Sequence, residues 1–126
     1  MFEISVRLSF SGAHRLRGYR GKCENIHGHN WDIEAFVAAG KLNNQGISMD
    51  FKFLRNKLKT ILSALDHCDL NEISFFKSNN PSAENIAKYI YENLKRSIRS
   101  KDVSLTRISV WETRDSRADY FERDKE

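Results

Sequence analysis

The chain has 126 residues, 30% charged and 40% hydrophobic, with eight Phe, four Tyr and two Trp. That composition suits one buried core without disulfide staples and is too aromatic for a disordered polypeptide. The net charge of +4, from 21 basic and 17 acidic residues, is spread along the sequence, so charge alone selects no class of partner.

Two cysteines, Cys23 and Cys68, form no CxxC pair, which argues against a disulfide framework and for a reducing cytoplasm. Glu3 and Arg7 interrupt the apolar N-terminal stretch, and no run of about eighteen apolar residues occurs, so neither export nor a membrane span is expected.

Residues 2–10 place Phe2, Ile4, Val6, Leu8 and Phe10 on one side and Glu3, Ser5, Arg7 and Ser9 on the other. This is the period of a half-buried strand. Continued through Gly12, it puts His14 on the apolar face. Residues 17–26 form a basic, glycine-bearing loop, and a second strand is expected from about His27 to Ala39, with Ile33, Ala35 and Val37 sharing the parity of His27 and His29. After a connection from Gly40 to Gly46, Asp50 can cap a helix whose Leu54, Leu58, Ile61, Leu62 and Leu65 repeat at three and four.

In "NNPSAEN", Pro81 or Ser82 suits the start of a second helix and Glu84 complements its dipole. Ile86, Ala87, Ile90, Leu94 and Ile98 supply the buried stripe, and the helix should end near Ser100. Val103 and Leu105 are odd whereas Ile108 and Val110 are even, so the third strand should contain a bulge before Trp111 and Glu112. A short strand around Ala118 to Phe121 closes the order ββααββ. The prediction is one α+β domain over residues 1–126, a four-stranded antiparallel sheet with two helices on one face. Its two open edges predict a symmetric oligomer.

All four histidines fall in three short segments, His14 in one, His27 and His29 in the next and His67 in the last. Strand residues two apart project from one face, so His27 and His29 offer two imidazoles, and His14 on a pairing neighbour can supply a third. Three nitrogens and an open position mark a catalytic zinc site, with no fourth protein ligand evident in the sequence; hydrogen-bonded strand histidines are the competing explanation.

Cys23 lies four residues before His27, and a metal and Lys22 could both raise its thiolate fraction, giving a base or nucleophile; the plainer explanation is an inert small residue. Cys68 is assigned to packing. Asp66 and His67 put a carboxylate beside an imidazole, but adjacency implies no bond, and a histidine complementing a helix C-terminus explains the pattern equally well. Glu112 shares the apolar parity of Ile108 and Val110 and needs N–H donors, from an internal salt bridge or from a ligand with an aminopyrimidine edge.

The segments "FSGAHRL", "CENIHGHNW", "MDF", "LDHCDLN", "NPSAEN" and "VWET" occur in this order. Through them residues 2–120 resemble the 6-pyruvoyl-tetrahydropterin synthase family, most closely its bacterial 6-carboxy-tetrahydropterin synthases of 7-deazaguanine and queuosine synthesis. The resemblance implies the tunnelling fold, in which three subunits join their sheets into a barrel and two trimers stack. It implies Zn2+ held by His14, His27 and His29, Cys23 as the proton-abstracting base, Asp66 and His67 as acid-base partners, and Glu112 anchoring the pterin. Ser82, followed by Ala83, would lie beside the pterin of a neighbouring subunit, so a lone monomer should be inactive.

By the same resemblance the substrate is 7,8-dihydroneopterin triphosphate. Its conversion to 6-carboxy-5,6,7,8-tetrahydropterin releases acetaldehyde and triphosphate. Arg15, Arg17, Arg20 and Lys22 are candidate triphosphate contacts, unless they are solvated surface charge. Glu24 creates Glu-x-x-His-Gly-His, the pattern of a branch that cleaves dihydroneopterin to 6-hydroxymethyl-dihydropterin for folate synthesis. The pyruvoyl-forming reaction and a non-catalytic zinc or pterin-binding module also compete with the carboxy-forming assignment. Clustered basic residues with interleaved aromatics are missing, which argues against RNA binding. The expected partners are thus the pterin substrate and further copies of the chain, without nucleic acid or membrane.

Overall fold

Alternation of apolar and polar residues continues past Phe10, so β1 spans Phe2–His14 and the His-Gly-His segment opens β2, His27–Ala39. The computed structural model describes residues 1–20 and 24–123; Lys22 and Cys23 lie outside the described residues. β1 and β2 pair antiparallel in unbroken register from Phe2 opposite Ala39 to His14 opposite His27. Helix α1 (Phe51–Ser63) follows, then a two-residue strand β3 (Cys68–Asp69), a short helix α2 (Ser74–Ser78) and the long helix α3 (Ala83–Ser97). Strands β4 (Val103–Thr113) and β5 (Ser116–Tyr120) complete an open sheet of order β3-β1-β2-β4-β5.

The expected ββααββ frame is present with two additions. β3 pairs parallel to Gly12 and Ala13 at the edge of β1, and α2, preceded by a tight 3-10 turn at Leu70–Glu72, lies between the two long helices in the chain. Both additions are too short to leave a periodic pattern; the 3-10 turn starts where the Asp69 side chain accepts from the Asn71 N–H at 3.0 Å. The final strand begins at Ser116, two residues earlier than the apolar pattern suggests, and Phe121 lies beyond it, exposed.

The phase change in β4 falls at Thr106. Phe36 pairs with Arg107 and Val37 with Leu105, leaving Thr106 as the extra residue, and its hydroxyl donates to the Phe36 carbonyl at 3.1 Å. A second irregularity separates Trp111, opposite Arg117, from Thr113, opposite Ser116, so Glu112 has no partner across the β4–β5 ladder. Bulges redirect side chains at the ends of sheets, and Glu112 is one so placed.

α1 and α3 cover the apolar face of the sheet. Leu54 and Leu58 from α1, Leu65 in the turn after it, and Ile86, Ile90 and Leu94 from α3 are fully buried with Ile33, Ala35 and Ile108; each large side chain contributes about 2 kcal/mol by leaving water. Asp50 caps α1 by accepting from the Lys52 N–H at 2.8 Å, and Ser82 caps α3 by accepting from the Asn85 N–H at 3.2 Å. Replacing Ser82 with Ala should cost about 1 kcal/mol and lower the melting temperature by about 4 °C, measurable by circular dichroism. The opposite face of the sheet is polar: Ser5, Ser9 and Ser11 bond to Glu34, Asp32 and Asn30 across β2, and Arg7 lies 4.0 Å from the centre of the Trp111 ring.

Candidate metal centre and acid-base pair

The end of the β1–β2 ladder converts strand parity into a cluster of imidazoles. His14 faces His27 across the ladder, and His29, on the same face as His27, is opposite Gly12. Ring centroids of His14 and His27 lie 4.6 Å apart, those of His14 and His29 5.1 Å, and those of His27 and His29 4.8 Å. Trp31 is the floor: it is fully buried, its Nε1–H donates to the Gly12 carbonyl at 3.1 Å, and His14 and His29 stand edge-on to it.

Backbone carbonyls choose the tautomers. His14 Nδ1 is 2.7 Å from the Pro81 carbonyl and His27 Nδ1 is 2.9 Å from that of Asn25. A carbonyl only accepts, so in each neutral ring Nδ1 carries the proton and Nε2 keeps its lone pair. Burial pushes the His29 imidazole below its ordinary value, outweighing the raising effect of the nearby Glu112 carboxylate, so this ring also favours the neutral, ligating form.

Glu112 joins this group. Its Oε1 lies 3.1 Å from His14 Nε2 and 3.2 Å from His29 Nε2, yet both nitrogens are buried with no hydrogen-bond partner among the described residues. For His14, whose Nδ1 carries the proton, the Nε2 lone pair faces a carboxylate oxygen, an arrangement that a cation satisfies. One ligand atom from each of His14, His27, His29 and Glu112 lies within 4.8 Å of every other, so these four residues can hold a metal ion. The first two strands supply three ligands; Glu112 is the addition, on the parity of Ile108 and Val110, whose β2 partners Ala35 and Ile33 share the face of His29.

Asp66 and His67 do meet, at 2.9 Å between Asp66 Oδ2 and His67 Nδ1. The turn permits what adjacency alone does not: His67 has a left-handed φ of 57°, a conformation that costs a non-glycine residue about 1 kcal/mol or more. Its N–H donates to the Ser11 carbonyl at 2.6 Å, and the Ser11 N–H donates back to Asp66 Oδ1 at 2.9 Å. The Ser11 N–H and then the His67 ring hold the Asp66 carboxyl below the usual carboxylate range. Helix α1 ends at Ser63, so His67 lies beyond its last turn and does not complement its C-terminus. His67 is largely exposed and lines, with His29, Gly28 and Cys68, a cleft of about 470 Å³. Cys68, expected to serve packing, is half-buried on that wall.

The remaining candidates are distributed around this centre. Ser82 is engaged as the α3 cap, while Ala83 lines a second cavity of about 410 Å³ with Glu112, Glu84 and Arg117. Glu24 Oε1 accepts from the Leu16 N–H at 3.0 Å. Arg17 donates one guanidinium N–H to the Phe76 carbonyl at 2.5 Å, which leaves its other donors for a further partner. A cavity of about 1010 Å³ lies elsewhere against Tyr91, Lys95, Leu105 and Thr106, with Lys95 paired to Glu122 at 2.8 Å; among the described residues no histidine or cysteine lines it.

Two asparagines that sequence patterns do not single out brace the irregular segment after His14. Asn71 bonds both the N–H and the carbonyl of Arg15, at 2.9 and 3.0 Å, and Asn80 does the same for Arg17, at 3.0 and 2.9 Å. Their one signal in the sequence is their place as the polar residues ending "LDHCDLN" and opening "NPSAEN".

The sequence profile described as 6-pyruvoyl tetrahydropterin synthase matches residues 3–123. The 6-carboxy-5,6,7,8-tetrahydropterin synthase of Haemophilus influenzae is 32% identical, over 97% of this chain and 100% of its own. That of Synechocystis is 33% identical over 96% and 94%. The structure of Caenorhabditis elegans 6-pyruvoyl tetrahydropterin synthase superposes with a TM-score of 0.84 at 27% identity, covering 97% of this chain and 96% of that one.

Proposed function

Because the chain belongs to the 6-pyruvoyl tetrahydropterin synthase family, we propose that it is a zinc-dependent lyase converting 7,8-dihydroneopterin triphosphate to 6-carboxy-5,6,7,8-tetrahydropterin, with loss of acetaldehyde and triphosphate. The observation that carries this reading is a set of lone-pair nitrogens and a carboxylate converging at one end of the sheet, beside a cleft shared by His29 and His67. The relatives named for the carboxy-forming reaction favour that product over the pyruvoyl product and over the Glu24-dependent hydroxymethyl product.

His14, His27 and His29 would hold the zinc, a Lewis acid that makes protons beside a bound oxygen easier to remove. Asp66 keeps the Nδ1 proton on His67, which leaves Nε2 of that ring to exchange a proton with the side chain of the pterin. Cys23 is assigned as the second proton-transfer group, four residues before His27. Glu112 would accept from the aminopyrimidine edge, with Ser82 and Ala83 near the ring. Arg15, Arg17 and Arg20 are the described candidates for contact with the triphosphate, and Lys22, outside the described residues, is assigned the same role. The open edges at β3 and β5 support assembly into a trimeric barrel or a pair of such trimers, working in the cytoplasm.

The test is to incubate zinc-loaded protein separately with dihydroneopterin triphosphate and with dihydroneopterin, identifying products by mass. Acetaldehyde with the 6-carboxy product is expected from the first. Cys23→Ala should abolish it and Glu24→Ala should spare it; full activity in both variants removes the proposed base.

A further inference from the structure

Glu112 borders two places at once. Its carboxylate reaches the histidine cluster, and its residue also lines the separate cavity with Ala83, Glu84, Ser116 and Arg117. Its position at the second bulge leaves it outside the β4–β5 ladder, and its side chain keeps 34% of its exposure while that of His14 keeps 2%. The backbone is therefore anchored on both sides while the carboxylate has solvent-side space.

The spacing at the cluster end is that of coordination. Ligands at about 2.0 Å around a tetrahedral ion stand about 3.3 Å apart, and Glu112 Oε1 is 3.1 and 3.2 Å from His14 Nε2 and His29 Nε2. A carboxylate oxygen beside the His14 Nε2 lone pair is repulsive unless a cation lies between them, and neither that nitrogen nor His29 Nε2 makes a hydrogen bond to it.

We propose that Glu112 is an exchangeable fourth ligand: its carboxylate closes the metal site in the substrate-free protein, and binding of a pterin ring withdraws it into the neighbouring cavity, opening the coordination position. This rests on the pterin-synthase reading of the site. A ring that offers two adjacent N–H donors satisfies both carboxylate oxygens, so the two positions of Glu112 compete for the same atoms. A site with four protein ligands is closed and one with three is open, so the open form arises only when the ring is seated. Linkage makes the competition reciprocal: the metal weakens ring binding through Glu112, and the ring loosens the metal.

The experiment uses the full chain loaded with Co2+, whose visible absorption reports its ligands, and unsubstituted pterin, which has the N–H edge but no side-chain oxygens. The Glu112→Gln protein should differ in spectrum from the native protein before any pterin is added and should hold zinc about tenfold or more weakly in chelator competition. Pterin should shift the native spectrum and leave that of the variant unchanged; Glu112→Ala should reproduce the variant's behaviour. Identical spectra and zinc affinities for native and variant proteins overturn the proposal, as does pterin that binds, by fluorescence quenching, without altering the native spectrum, or fails to bind at all. Failure of the underlying reading looks different: the spectra still separate native from variant, but dihydroneopterin triphosphate is not turned over.

Discussion

The His14→Ala protein is expected to lose its metal and, with it, turnover by about a thousandfold or more. Removing a Lewis acid forfeits several kcal/mol of charge stabilisation, and about 4 kcal/mol corresponds to three powers of ten in rate. His14 is the most deeply placed of the cluster, 2% exposed, packed edge-on to Trp31 and bonded through Nδ1 to the Pro81 carbonyl. Its loss also leaves that carbonyl without its partner, a penalty of about 1–3 kcal/mol, so part of the effect will show as lowered stability. His29→Ala separates the two, because His29 is 22% exposed and its removal should strip the metal with less damage to the fold. Metal per chain by mass spectrometry after chelator dialysis, thermal melting and turnover are the measurements. Either variant retaining a full equivalent of metal and native turnover would refute the assignment.

The second large effect is expected at His67. Positioned acid-base groups contribute about a hundredfold to ten-thousandfold, so His67→Ala should reduce kcat within that range while leaving metal binding and fold intact, since the ring is 80% exposed. His67→Gly should be equally inactive yet no less stable than His67→Ala, because glycine accepts the φ of 57° at little cost. Asp66→Asn should give a smaller loss: the amide oxygen can still accept from the Ser11 N–H, but the negative charge that orients the imidazole is gone. An Asp66→Asn loss equal to that of His67→Ala would mean that Asp66 itself exchanges the proton. Native kcat in His67→Ala would exclude the ring from the reaction.

Asp66 and His67 show how far the sequence can be read. Periodicity locates β1, β2 and the two long helices because each buries one face over at least ten residues, as Leu54, Leu58 and Leu62 do in α1. The histidines are legible for the same reason, since strand parity fixes which side chains share a face. β3, the 3-10 turn and α2 are not, being shorter than any period. The Asp66–His67 contact turns on the backbone of one turn residue, and Glu112, whose face alternation does announce, comes beside the histidines through the β2–β4 register, which alternation cannot supply. Asn71 and Asn80 act through backbone bonds to Arg15 and Arg17, a use of side chains with no hydrophobic signature.

The twin asparagine braces also bear on how the centre is assembled. Asn71 is separated from Arg15 by 56 positions, Asn80 from Arg17 by 63, and Pro81 from His14 by 67, so each link closes a long stretch of chain and cannot form from local collapse alone. The ladder of the first two strands gives the imidazoles their shared face, whereas the tautomer of His14 and the course of the chain behind it are set by a stretch, residues 71–81, far away in sequence.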